Sequence, residues 1–338
     1  MTQQPIGVGV AGFWHVHADD YARDATEHPG TRVAAAWDPD PARRRDGADR
    51  LGVPAADDLD ALLAHPDVEA ITVTTATNEH TEVIGRALAA GMPVFTEKLL
   101  APTVAECEAL IEASRVHATP LVVSLPRLSE PLMTTIARLV DDGALGELTY
   151  VRVRMAHDGW LGGWLPERFA DPAAAIGGAF ADLGCHPAYL VQRMLGATPE
   201  AITAAYGHIT GRAVEDNAVV TARYENGAVG VAEASFTTTP GAFAVEVRGT
   251  EGSLLHGFGR DELIAKGGRF GTDWTPVPLE PAAPSPFDLW VSAIRGEAHN
   301  ADTSANLQAA LDLTRFVVAA NLAAAEGAAV PIDQEGTP

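Results

Sequence analysis

Cysteine and lysine are nearly absent from this chain. Among 338 residues there are two cysteines, Cys107 and Cys185, and two lysines, Lys98 and Lys266. Neither cysteine belongs to a CxxC pair, so no disulfide framework or structural zinc site can be read, and a reduced, cytoplasmic setting fits best. Long apolar runs are missing too, none approaching the roughly 18 to 20 residues of a membrane span. Only Met1–Pro5 precedes the first apolar run, so no signal peptide is expected. Positive charge is also scarce: 45 acids face 23 bases, a formal net charge of −22. Such a surface repels nucleic acid and anionic lipid, and suits a soluble protein acting on small molecules.

What is present points to a folded, two-domain chain. Apolar residues make up 47%, which excludes a mostly disordered polymer, and the length exceeds one ordinary core. The bases are almost all arginine, which serves most surface roles of lysine but cannot release its proton at useful pH. A lysine in such a chain therefore merits inspection. Lys266, beside Gly267-Gly268, reads as a surface residue in a turn, whereas Lys98 follows a buried run.

The first third alternates short apolar runs (Ile6–Ala11, Arg32–Trp37, Ala70–Thr74, Pro93–Thr96, Leu121–Ser124) with amphipathic stretches (Val16–Asp24, Pro41–Leu51, Leu59–Ala64, Glu79–Ala90, Val104–His117). Gly91 reads as a helix stop, and Thr103 with Glu106 as a capping box. This alternation predicts a parallel sheet covered on both faces, a Rossmann-type α/β domain over residues 1–124. After Ser124 the rhythm changes. A helix (Pro131–Val140), a strand (Leu148–Ala156), a Gly/Trp-rich loop and a helix near Ala179–Leu195 lead into successive strands from Glu200 to Ile264. Asn226-Gly227 is the sharpest hairpin signal. Pro276–Pro286 reads as a proline-rich connection before a long helix near Ser304–Ala325. Residues 125–338 are thus predicted to form an α+β domain with an open, mostly antiparallel sheet.

A literal G-x-G-x-x-G occurs at Gly7, Gly9 and Gly12, but its first two glycines lie inside the predicted strand. The register that follows a strand and opens a helix starts at Gly12, with Trp14 at the second glycine position and His17 at the third. His15 and His17 are two apart, so on a helix they would face different directions, and no metal site is assigned. Asp38 ends the second strand about twenty residues later, where an acid receives adenosine ribose hydroxyls and favours NAD over NADP. Arg43–Arg45 weaken that preference, since one of them could stack on adenine or meet a phosphate. A turn or helix-cap role for Asp38 stays open.

Glu97-Lys98 lies at the carboxyl end of the fourth strand, where ligands bind in open parallel sheets. Asp182 and His186 are four apart, on one face of the predicted helix and about 6 Å apart along its axis. Histidine suits proton transfer near neutral pH, and a carboxylate can orient it. With Lys98 they form a proton-handling set.

In these motifs the chain resembles the Gfo/Idh/MocA oxidoreductases. The resemblance rests on the VGVAG strand with its turn at Gly12, Thr75-Ala76-Thr77-Asn78-Glu79-His80, Glu97-Lys98-Leu99-Leu100-Ala101, Asp182-x-x-x-His186 and Glu215-Asp216-Asn217-Ala218. It implies a Rossmann domain plus an open-sheet domain, and hydride transfer between NAD(P) and a carbinol of a sugar, cyclitol or related polyol. It further implies catalytic roles for Lys98, Asp182 and His186, and a cofactor site drawing on Gly12, Phe13, Trp14, His15, Asp38, Arg43, Thr75, Asn78, His80, Glu97 and Lys98. Arg127, His157, Asp158 and Trp160 are expected to face substrate. Leu99 stands where the family has proline after Glu-Lys, as does Ala76 after the threonine. NAD is the expected cofactor with NADP left open, and a homodimer or homotetramer is expected. Two other readings remain: a metal-dependent hydrolase using His15, His17, Asp182 and His186, and a non-catalytic nucleotide- or sugar-binding protein.

Overall fold

The computed structural model describes residues 4–332. Met1–Gln3, from the segment expected to hold no signal peptide, and residues 333–338 lie outside the described residues. Five runs form one parallel sheet: β1 (Ile6–Ala11), β2 (Thr31–Trp37), β3 (Ala70–Val73), β4 (Val94–Thr96) and β5 (Leu121–Val123), in the order β2-β1-β3-β4-β5. All of these strands except β2 are buried along their whole length, as a sheet covered on both faces requires. The connecting helices are α1 (Ala18–Glu27), α2 (Pro41–Leu51), α3 (Leu59–Leu63), α4 (His80–Ala89) and α5 (Val104–Val116). Asp40 caps α2 by accepting the Ala42 and Arg43 N–H groups, and Thr103 caps α5 by accepting that of Glu106. Helix α1 starts at Ala18 rather than Val16, so His15 and His17 sit in a loop. Gly7 has a packing reason to be glycine: a Cβ there would lie 1.8 Å from the Asp67 carbonyl oxygen. The first glycine of the literal motif therefore answers a packing demand on β1.

The rest of the chain runs α6 (Pro131–Asp141), β6 (Leu148–Ala156), α7 (Pro172–Ala175), a π-helical turn at Phe180–Gly184 and α8 (Cys185–Leu195). Strands β7 (Ala201–Gly207), β8 (Asn217–Arg223), β9 (Val229–Ser235), β10 (Ala242–Gly249), β11 (Gly252–His256), β12 (Ile264–Gly267) and β13 (Thr275–Pro276) follow, then α9 (Pro286–Ile294), α10 (Asn300–Glu326) and β14 (Val330–Pro331). These strands make a nine-stranded sheet with β6, ordered β13-β12-β11-β10-β6-β9-β8-β7-β14. Its pairings are antiparallel apart from β6 with β9, which run parallel. Gly227 turns the β8–β9 hairpin at φ +85. Helix α8 lies close on the sheet, since a Cβ on Gly230 would meet Val191 Cγ1 at 2.4 Å.

The chain divides into two compact units, one running to Leu125 and adding Pro284–Leu311, the other holding Pro126–Ala283 and the chain from Asp312 onward. The sequence reading set one boundary at 124/125 and saw no helix at Pro286–Ile294. Helix α9 is opened by a Ser285/Asp288 capping box. It joins the first unit because Phe287, Trp290 and Val291 are buried with Ile6, Phe95 and Val122. Among the described residues, no helix is long and apolar enough to cross a membrane.

Candidate functional site

In the parallel-sheet unit, strand order reverses between β1 and β3, the switch point where such sheets bind ligands. Gly12 turns the chain there at φ +100, and a Cβ would lie 2.4 Å from the Thr75 amide nitrogen. Thr74 Oγ1 donates to the Gly12 carbonyl at 2.6 Å, while the His15 N–H donates to the Thr74 carbonyl. Asp38 is fully buried and accepts the Phe13 N–H at 2.6 Å and the Asp40 N–H at 2.7 Å. Arg43 Nε lies 3.1 Å from both carboxylate oxygens of Asp38, with Nη2 at 2.9 Å from one of them. Asp38 is therefore not a helix cap, that role falling to Asp40. A ribose arriving there meets Arg43 together with the acid. Phe13 offers its backbone rather than its ring, which packs where a Cβ on Gly47 would lie 2.3 Å away.

Glu97 is the electrostatic centre of this unit. Its buried carboxylate accepts hydrogen bonds from Tyr21 Oη, His17 Nδ1 (3.0 Å) and the Lys98 N–H (3.1 Å), with Lys98 Nζ at 3.6 Å and His15 Nδ1 at 3.7 Å. Burial pushes the Glu97 carboxyl up, but the charges of His15, His17 and Lys98 and the His17 hydrogen bond hold it well below the usual range. Burial, reinforced by the Glu97 charge, drives the Tyr21 phenol well above its ordinary value. The rings of His15 and His17 lie 4.6 Å apart. The expectation that they diverge fails because the segment is not helical. One ligand atom from each of His15, His17 and Glu97 lies within 4.8 Å of the others, a His-His-carboxylate set capable of holding a divalent ion.

Lys98 is buried beside Glu97, which sets it apart from an ordinary surface pair. The Lys98–Leu99 peptide is cis. His80 is buried and donates from Nδ1 to the Leu99 carbonyl at 2.9 Å, supporting this segment. Burial lowers its pKa, partly opposed by that carbonyl. Asn78 is exposed and Trp14 buried. Thr75 Oγ1 is buried without a hydrogen-bond partner among the described residues. That atom, the Gly12 cradle and the Asp38–Arg43 pair fit a dinucleotide.

In the second unit, Asp182 sits on the π-helical turn and His186 in the first turn of α8, so a π/α junction separates them. Glu215 anchors that turn: its carboxylate accepts the Gly178 N–H at 2.9 Å and the Phe180 N–H at 2.8 Å, and its carbonyl accepts that of Ala179. Burial raises the Glu215 pKa against those donors. His186 Nδ1 lies 2.8 Å from Tyr189 Oη, which also accepts the Arg127 N–H at 3.2 Å. The Arg127 guanidinium pairs with Glu130 and lies over the Phe243 ring.

His157 stacks on Phe236 with centroids 4.9 Å apart. Burial lowers its pKa, opposed by the charges of Asp182 and Asp158. Trp160, expected to face substrate, is instead buried against Phe236 under the Arg212 guanidinium. Trp164 is the indole on the surface, 51% exposed, with Nε1 donating to Asp158 at 3.1 Å. Sequence reasoning missed Tyr21, Tyr189 and Trp164, and named Glu215 only as part of a family motif. Of these, Tyr189 had a signal, lying three residues after His186 on a helix.

Residues 6–124 match the oxidoreductase family model with the NAD-binding Rossmann fold, and residues 133–255 match the GFO/IDH/MocA C-terminal domain. The chain is 28% identical over 284 residues to scyllo-inositol 2-dehydrogenase (NAD(+)) of Bacillus subtilis, covering 78% of this chain and 77% of that one. It is 32% identical over 147 residues to inositol 2-dehydrogenase of Acidothermus cellulolyticus, covering 43% of each. Among solved structures, an inositol dehydrogenase homolog complexed with NAD+ from Azotobacter vinelandii superposes with TM-score 0.81 at 23% identity, covering 97% of both chains. Aldose-aldose oxidoreductase from Caulobacter crescentus superposes with TM-score 0.81 at 22% identity, covering 97% of this chain and 100% of that one. At those identities the structures speak for the fold.

Proposed function

The chain belongs to the Gfo/Idh/MocA oxidoreductase family, with its NAD-binding Rossmann domain and its C-terminal domain both matched, and from that membership we propose that it transfers hydride between NAD and a carbinol of a cyclitol or sugar. The observation that carries this reading is the set of groups at the strand ends around Gly12, Asp38, Thr75 and Glu97-Lys98, the place an open parallel sheet reserves for a dinucleotide. The nicotinamide would supply the hydride chemistry, and the protein position and proton handling.

The Gly12 turn would admit the dinucleotide, with Asp38 and Arg43 toward the adenosine and Thr75 and His80 toward the nicotinamide. The Phe13, His15 and His17 amides already have acceptors in Asp38, the Thr74 carbonyl and His15 Nδ1. Phosphate oxygens would therefore be met largely by side chains of this loop, His15 and His17 foremost. Lys98, Asp182 and His186 would together hold the reacting oxygen and handle its proton. Arg127, His157 and Asp158 would contact the remaining hydroxyls. The names of the inositol dehydrogenases among the relatives support a cyclitol. The two free, buried cysteines support a reduced cytoplasmic home, and the open face of the nine-stranded sheet supports a homodimer or homotetramer.

The test is binding followed by turnover. NAD should raise the melting temperature of the purified protein, and a panel of cyclitols and sugars should yield reduced cofactor. Lys98→Ala should abolish turnover while the fold persists. Full turnover in that variant would remove Lys98 from the chemistry, and no NAD binding at millimolar concentration would end the reading.

A further inference from the structure

The second unit holds a hydrogen-bond chain that no motif announces. Tyr189 is buried, and its Oη accepts the Arg127 backbone N–H at 3.2 Å, a donor whose direction is certain. His186 Nδ1 lies 2.8 Å from the same oxygen. If His186 donated into Oη, the phenol oxygen would receive two hydrogens and its own buried proton would lose this acceptor, a costly arrangement. Turning the phenol proton onto Nδ1 satisfies all three groups. Burial keeps the phenol protonated, its pKa driven well above the ordinary value.

We propose that Tyr189 is a positioning residue that holds His186 in the tautomer with its proton on Nε2, making His186 a hydrogen-bond donor toward the substrate oxygen. A neutral ring with Nδ1 occupied as an acceptor has its proton on Nε2, on the opposite edge. That nitrogen can polarise a carbonyl or hold an alkoxide, but it cannot take a proton. The inference rests on the oxidoreductase reading for its catalytic meaning. When a carbonyl is reduced, negative charge grows on its oxygen as hydride reaches the carbon, and an Nε2–H donor strengthens its hydrogen bond to that oxygen.

The tautomer is readable without cofactor or substrate. Long-range proton–nitrogen correlation on the full-length protein labelled with 15N-histidine, with His186 assigned by comparison with His186→Gln, should show Nε2 protonated and Nδ1 bare. Tyr189→Phe should shift the signal toward a mixture of tautomers. It should lower kcat about tenfold with KM nearly unchanged, as expected for an interaction used mainly in the transition state, while the NAD dissociation constant stays within about twofold. A wild-type ring protonated on Nδ1, or a tautomer unmoved by Tyr189→Phe, would overturn the proposal. If the variant does not fold, the wild-type spectrum decides alone. Failure to bind NAD would instead strike the oxidoreductase reading and leave the tautomer result standing.

Discussion

Tyr21 Oη donates a hydrogen bond to Glu97 Oε2 across 76 residues of sequence, tying α1 to the end of β4. With His17 and the Lys98 amide on the same carboxylate, Glu97 is a buried anion surrounded by donors. That arrangement explains why an acid precedes Lys98. It orders the loop after β1 and the segment after β4 around one charge.

The pH dependence of stability follows from this anion. Its folded pKa lies well below the ordinary glutamate value of about 4.3. The stability it contributes is therefore full above that value and lost as pH falls toward the folded pKa. Glu97→Gln should cost about 3 kcal/mol at neutral pH. Urea unfolding should show the gap to wild type narrowing below roughly pH 4. A gap that ignores pH would mean that shape, rather than charge, matters there.

Gly12→Ala combines a backbone angle unsuited to side chains with a Cβ pressed on the Thr75 amide. A loss of about 2 kcal/mol in stability is expected, with NAD affinity reduced more than about tenfold. Calorimetric titration and thermal melts check both, and undiminished affinity would place the dinucleotide elsewhere.

Arg43→Ala should change cofactor choice. Its guanidinium offsets the Asp38 charge that would otherwise repel a 2′-phosphate. Removing it should weaken NADP about tenfold, the size of one charge-assisted hydrogen bond, and leave NAD within about threefold. Equal losses for both cofactors would assign Arg43 to structure alone.

The two tryptophans of the loop after β6 should separate cleanly. Trp160→Ala empties a buried position and should cost about 3 kcal/mol. Trp164→Ala removes an exposed ring and should change stability by no more than about 0.5 kcal/mol, while raising the KM for a polyol several-fold. An unchanged KM would show that Trp164 does not meet the substrate.

Much of this protein was legible in residue order alone. Strand-helix alternation declared the parallel sheet, since period and burial are local properties. Asn226-Gly227 declared its hairpin, and Gly12 stood where a strand must turn. Lys98 stood out because arginine replaces lysine almost everywhere else. Helix α9 was hidden by the prolines at its entrance, and its apolar side has meaning only beside Phe95 and Val122.

The sequence by itself determined the two-domain plan and the family. Periodicity, turn chemistry and composition act over a few residues, and so can be read from them. Only the tertiary structure decided that His15 and His17 converge on Glu97, that Tyr189 faces His186, and that Trp164 rather than Trp160 reaches the surface. Those outcomes depend on which distant groups share a desolvated space, where each buried donor must find an acceptor. Residue order does not encode that pairing until the chain has closed.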